Sequence, residues 1–203
     1  MARTQAPEYE ERREAIVQHA ADLFATAGFS ETSLADLAKA CGYSKSLVYY
    51  YYPSKEEILF AVMSSHVDVL LEDVRIIAEA GHSPPKALAA LVHTFMAHYV
   101  GAASRQKVLL NELGSLPDDK REIIVGKQRR IIQAVQDLVA AVDPTLAKDP
   151  PRSRLKTMLL FGMINWTHTW FNPAGPLSPD DVAEMVNELI GVGNKTRKRP
   201  ARS

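Results

Sequence analysis

A single glycine between two short apolar-faced segments constrains this chain most. Residues 33–52 read SLADLAKACGYSKSLVYYYY. Leu34, Leu37, Ala38 and Cys41 recur at three- and four-residue steps, which predicts a short helix with one face turned inward. Gly42 ends it, at a point where the chain needs the left-handed backbone that glycine adopts cheaply. Ser44 is placed to cap a new helix whose inward face is Leu47, Val48 and Tyr51. Ala38 is small enough to let the two helices cross closely. The pattern is that of a helix-turn-helix. It leaves Lys45, Ser46, Tyr49 and Tyr50 facing outward, with donors suited to a DNA groove.

The remainder also reads as helix, which makes the chain all-α with about nine helices. The first is expected over residues 9–27 and is stopped by Gly28. Thr32 and Ser33 are placed to cap the second, with Asp36 completing an approximate capping box, and such a capped N-terminus is a ready phosphate site. Ser54 with Glu57 repeats the capping signature and starts a fourth helix that runs to about Ala80, joining the two halves of the chain. Three more are expected: from Pro85 to about Val100, over 104–113, and over 118–142. Residues 143–151 read as a loop. An eighth helix over 152–171 carries Met158, Leu159, Leu160, Phe161, Met163, Ile164, Trp166 and Trp170, leaving almost no polar face. A helix apolar all round is buried on both sides, which in so small a domain predicts a partner subunit. Ser178 caps the last helix, with Pro179 at its first position and Asp181 in its first turn. Leu160, Ile164, Trp170, Val182, Met185, Val186 and Leu189 are the expected dimer interface, with two helices from each subunit.

Charge does not by itself point to a polyanion, since 24 basic residues balance 24 acidic ones. Locally the pattern is different. Between residues 37 and 55 the only charges are Lys39, Lys45 and Lys55, whereas Glu8, Glu10, Glu11 and Glu14 sit on another helix. One cysteine, Cys41, excludes an internal disulfide and a cysteine-rich zinc site. The six histidines are scattered, and His93 and His98 lack the spacing of two ligands on one helical face, so no metal and no cofactor are expected. Ser83–Lys86 and Ser153–Lys156 form S-x-x-K strings without companion motifs, and no phosphate loop or nucleophile elbow occurs. The chain therefore reads as non-enzymatic. The polar N-terminus and the short, interrupted apolar region 158–171 give no membrane anchor, so a cytoplasmic protein is expected.

Residues 10–60 resemble the N-terminal domain of TetR-family transcriptional regulators. The likeness is carried by Phe24, Gly28, Phe29, Thr32, Leu37, Ala38, Gly42, Tyr43, Ser44, Lys45 and Tyr49, and by the block YYYYPSKEEIL. Ser46 stands where the family often has glycine, and Tyr52 where it usually has phenylalanine. The resemblance implies a helix-turn-helix DNA-binding domain over 9–53 and a ligand-binding and dimerisation domain over 54–194; the segment 195–203, KTRKRPARS, is basic without periodicity and is expected to be a disordered tail. It implies a homodimer that binds a palindromic double-stranded DNA operator through Thr32, Ser33, Ser44, Lys45, Ser46, Leu47, Tyr49, Tyr50, Tyr51 and Lys55. A small-molecule pocket is implied around Phe95, Met96, Tyr99, Arg129, Phe161, Asn165, Trp166, His168 and Trp170. The stretch WTHTWFNPAGPLSPDDVAE is similar to family members that govern lipid, steroid and aromatic-acid breakdown, several of which sense acyl-CoA thioesters. Lys127, Arg129 and Arg130 would then meet the CoA phosphates. Four rival readings stand beside a repressor responsive to acyl-CoA: a regulator of drug efflux, an activator, a structural DNA-binding protein with no effector, and an acyl-CoA-binding helical enzyme or carrier that does not bind DNA.

Overall fold

The computed structural model describes residues 5–193, so the basic segment expected to be disordered lies outside the described residues. Within them the chain is helical throughout. The order is α1 (Gln5–Ala27), α2 (Leu34–Cys41), α3 (Lys45–Tyr51), α4 (Lys55–Glu79), α5 (Pro84–Gly101), α6 (Ala103–Asn111), α7 (Asp118–Val142), α8 (Pro144–Ala147), α9 (Pro150–Asn165), α10 (Thr167–Trp170) and α11 (Pro179–Ile190), with one 3₁₀ turn at Leu113–Ser115. Two of these, α8 and α10, are single turns. Among the described residues no single helix is long and apolar enough to cross a bilayer.

The chain divides into two compact units. The first comprises the chain up to Val69 together with Ala102–Gln128. In it α1 packs on α2 and on α6, and α2 packs on α3. Its core is built from Ile16, Ala20 and Phe24 of α1, Leu37 of α2, Val48 of α3, Ile58, Leu59, Val62 and Met63 of α4, and Val108 and Ile124 from further along the chain, all at 2% exposure or less. The second comprises Leu70–Gly101 and the chain from Arg129 onward. Here α11 packs on α5 and α9, and α5 packs on α9. Leu88, Leu91, Val92, Phe95 and Met96 of α5, Leu160 and Ile164 of α9 and Val186 and Ile190 of α11 are buried there.

Capping chemistry sets most of the boundaries. Ser33 and Ser178 form complete capping boxes with Asp36 and Asp181. Ser54 Oγ accepts from Glu57 N at 3.2 Å. Two starts lie inside the stretch expected to be a loop: Asp143 caps α8 and Asp149 caps α9, each followed by proline at the first helical position. The expected eighth helix is also not continuous. It breaks at Trp166 because side chains capture the last carbonyls: Thr167 Oγ1 donates to Ile164 O at 2.6 Å and His168 Nδ1 lies 2.7 Å from Asn165 O.

Gly42 has φ 69° and ψ 24°, and its N–H bonds the end of α2. No atom outside its neighbours lies within 4 Å of where a Cβ would sit, so the position demands glycine for its backbone alone. Gly42→Ala is expected to cost about 1–2 kcal/mol, and Gly42→Asn less, because asparagine tolerates the left-handed region. Urea unfolding midpoints of the two variants measure the difference.

Candidate nucleic-acid interface

The outward face of α3 is short and well fixed. Ser44 Oγ accepts from Leu47 N at 3.1 Å and starts the helix. Val48 is fully buried, and Ala38 and Leu37 of α2 are buried across from it. That anchoring turns Lys45, Ser46, Tyr49 and Tyr50 to solvent, with Tyr50 71% exposed. The Lys45 ammonium lies 5.9 Å from the Tyr49 ring centre, so both share one face. From α1, the Tyr9 ring packs on Tyr51 at 4.8 Å and meets Tyr50 edge-on at 6.4 Å. Tyr51 also hydrogen-bonds the Arg12 guanidinium, which with Glu8 nearby raises the arginine further above its ordinary value. Tyr52 is buried under the Arg13 guanidinium, and burial pushes its hydroxyl up.

Several residues expected at the DNA surface have other duties. Thr32 is 4% exposed and donates through Oγ1 to Gly28 O at 2.8 Å, so it ties the α1–α2 turn rather than facing outward. Leu47 and Tyr51 are half-buried. Lys55 points its ammonium into the same turn, at 2.8 Å from Phe29 O, 3.0 Å from Thr32 O and 3.3 Å from Ser30 O. Ser33 remains exposed at the start of α2. Cys41 is half-buried, and burial pushes its thiol up to about 11, which leaves it protonated and inert at neutral pH.

In the second unit the expected pocket residues separate into two groups. Phe95, Met96, Tyr99 and Phe161 meet inside, with Phe95 6.1 Å from Tyr99 and 6.3 Å from Phe161. Asn165 and His168 are half-buried beside the α9 break. Trp166 and Trp170 lie outside instead, on an apolar groove of about 1300 Å³ that Met158, Leu159, Leu177, Met185 and Leu189 also line. Leu189 is 68% exposed there. Leu160 and Ile164 of α9 and Val182 and Val186 of α11, expected at a dimer interface, are buried where α5, α9 and α11 pack together, and the two valines also border the groove. Of the cations expected to act together, Lys127 pairs with Asp68 at 2.7 Å within the first unit, and Arg129 and Arg130 are exposed residues of the second. Among the described residues no cluster of metal-ligating side chains occurs.

Tyr9, Arg12 and Glu112 are contributors the sequence reading did not single out. Tyr9 and Arg12 carry a weak signal, an aromatic and a cation one turn apart on the exposed side of α1. Glu112, whose Oε1 accepts from Phe29 N at 3.1 Å, lies 83 residues from its partner and carries none.

Known proteins share both parts of this arrangement. Residues 16–62 match the model for bacterial regulatory proteins of the tetR family, and residues 81–193 match that for the tetracyclin repressor-like C-terminal domain. A solved TetR-family transcriptional regulator from Bordetella parapertussis is 39% identical, with a TM-score of 0.85 over 89% of this chain and 94% of that one. The transcriptional repressor KstR2 of Mycolicibacterium smegmatis is 28% identical over 191 residues, 88% of each protein. AibR, solved in complex with isovaleryl coenzyme A and operator DNA, shares the fold at 23% identity, with a TM-score of 0.78 over 88% of this chain and 97% of that one.

The cap that starts α2 is sensitive to acid. Hydrogen bonds from the Ser33 hydroxyl and backbone hold the Asp36 carboxyl below its ordinary value. A depressed carboxyl contributes stability above its unfolded pKa and loses it as pH falls through the folded one. Ser33→Ala is expected to cost about 1 kcal/mol at neutral pH. Asp36→Asn should be less stable than the parent at neutral pH and equal to it in strong acid, as urea unfolding at the two pH values will report.

Proposed function

The chain belongs to the TetR family of bacterial transcriptional regulators, and from that premise we propose that it is a homodimeric repressor released from a palindromic operator by a small molecule. The observation that carries this reading is the exposed face of α3, whose four outward side chains stand on a helix fixed by Gly42, Val48 and the Ser44 cap. Lys45, Ser46 and Tyr49 read base edges in a major groove. Ser44 and Tyr50 hold phosphates and set register without reading sequence. Half-sites lie about 34–36 Å apart or at a multiple of that spacing. Residues 9–53 thus serve DNA, and residues 54–194 serve the effector and the dimer.

Dimerisation uses the apolar groove between α9 and α11. Trp166, Trp170, Met185 and Leu189 supply its centre, and an exposed apolar surface of this kind is costly to leave in water. The effector is an acyl-CoA thioester. Its acyl part lies against Phe95, Met96, Tyr99 and Phe161, and Arg129 meets a phosphate. What supports this choice is the aromatic interior and a fold shared with AibR, which has been solved with isovaleryl coenzyme A and operator DNA. Effector binding tilts α4, whose first turn adjoins α3 in sequence, and so alters the spacing of the two recognition helices. A coupling of about 2 kcal/mol would weaken operator binding about thirtyfold, and operator would weaken effector binding equally. The protein acts in the cytoplasm and carries out no chemistry of its own.

Three measurements test the proposal. Lys45→Ala and Tyr49→Ala are expected to abolish operator retention in a gel shift while leaving the dimer intact. Retention by both variants would mean that α3 is not the reading element. Leu189→Glu is expected to yield monomers by analytical ultracentrifugation. Thermal-shift screening is expected to favour acyl-CoAs over lipophilic cations; the reverse ranking would move the protein to drug sensing.

A further inference from the structure

We infer that Glu112 and Lys55 are positioning residues for operator recognition, acting by gripping the α1–α2 turn from two sides rather than by touching DNA. This rests on the proposed reading of α3 as the DNA-contacting helix. The turn between α1 and α2, residues 28–33, decides where α2 begins and therefore where α3 points. Gly28 has φ 91° and the chain reverses there, and the Phe29 N–H and the carbonyls of Phe29, Ser30 and Thr32 are met by side chains from outside the turn.

The donor side is met by Glu112. Its Oε1 accepts from Phe29 N at 3.1 Å, and its Oε2 accepts from Ser115 Oγ at 3.0 Å, which orients the carboxylate. The acceptor side is met by Lys55. An ammonium has three N–H bonds and no more. The three carbonyls of Phe29, Ser30 and Thr32 lie within 3.3 Å of Nζ and take all of them. The same nitrogen stands 4.3 Å from the Phe29 ring centre. Lys55 in this state has no donor left for a phosphate oxygen. Its position at the start of α4 makes it a strut between that helix and the turn. Glu112 does the same work from the segment after α6, whose Arg105 is ion-paired with Glu14 of α1.

The two modes of action are separable by salt. A lysine that neutralises a phosphate contributes about 0.9 to the slope of log Kobs against log salt, whereas a strut changes affinity and leaves the slope alone. The probe is the duplex that wild-type protein selects from a random DNA pool, with binding followed by fluorescence anisotropy per folded dimer. Lys55→Met is expected to weaken binding at least tenfold with the slope unchanged. Glu112→Ala is expected to weaken it at least tenfold, and Glu112→Gln to restore it, since an amide oxygen can still accept from Phe29 N. Should Glu112→Ala not fold, Glu112→Asp, with its shorter reach, carries the same expectation. A slope lowered by about 0.9 in Lys55→Met would make that residue a phosphate contact and overturn the inference. Wild-type affinity in Glu112→Ala, or equal loss in Glu112→Gln, would overturn it as well. If wild-type protein selects no duplex, the DNA-binding reading itself fails and this inference with it.

Discussion

The contact between α2 and α3 is small and leaves no slack. Leu37, Ala38 and Val48 fill it, and the two helices, eight and seven residues long, are too short to hold themselves in water. Their direction therefore comes from what surrounds them: a left-handed residue at 42, a serine cap on each, and the Tyr9 ring of α1 behind Tyr50 and Tyr51. The proposed recognition surface, four side chains on α3, is useful only if its aim is constant. Polar groups rather than added apolar area keep that aim, since so short a helix has little area to bury.

How well the structure could be read from sequence tracked the range of each interaction. Gly42 and the Ser33–Asp36 and Ser178–Asp181 caps rest on contacts within four residues and are legible, and the outward set on α3 follows from helical periodicity once Val48 is placed inside. The α8 start is written in the same local language, as Asp143-Pro144, but a proline beside an aspartate signals a loop equally well. The break after Asn165 was hidden differently. Its cause is a set of hydroxyl and imidazole side chains that turn back on the helix, and apolar periodicity does not register them.

Long-range placement was the part that sequence alone could not deliver. An apolar face says that a residue avoids water, and not which neighbour excludes it. Leu160 and Ile164 satisfy that demand inside their own unit, while Trp166 and Leu189 leave it unsatisfied on the outside. The lysine at 55 gave a similar ambiguity. A cation beside a recognition helix suggests a phosphate, but three backbone carbonyls closer at hand compete for the same protons. The divided pocket set has the same origin, as does the pairing of Lys127 with Asp68.

The first compact unit is not contiguous along the chain, because it takes in Ala102–Gln128 as well as the N-terminal helices. Glu112 and Arg105 reach back to α1 and to the turn that follows it. Hybrid regulators built by splicing the first three helices of one family member onto the effector half of another would cut through these bonds. The graft that respects the molecule carries the α6–α7 stretch along with the reading head, so that the donor's own acid and arginine travel with the turn they hold.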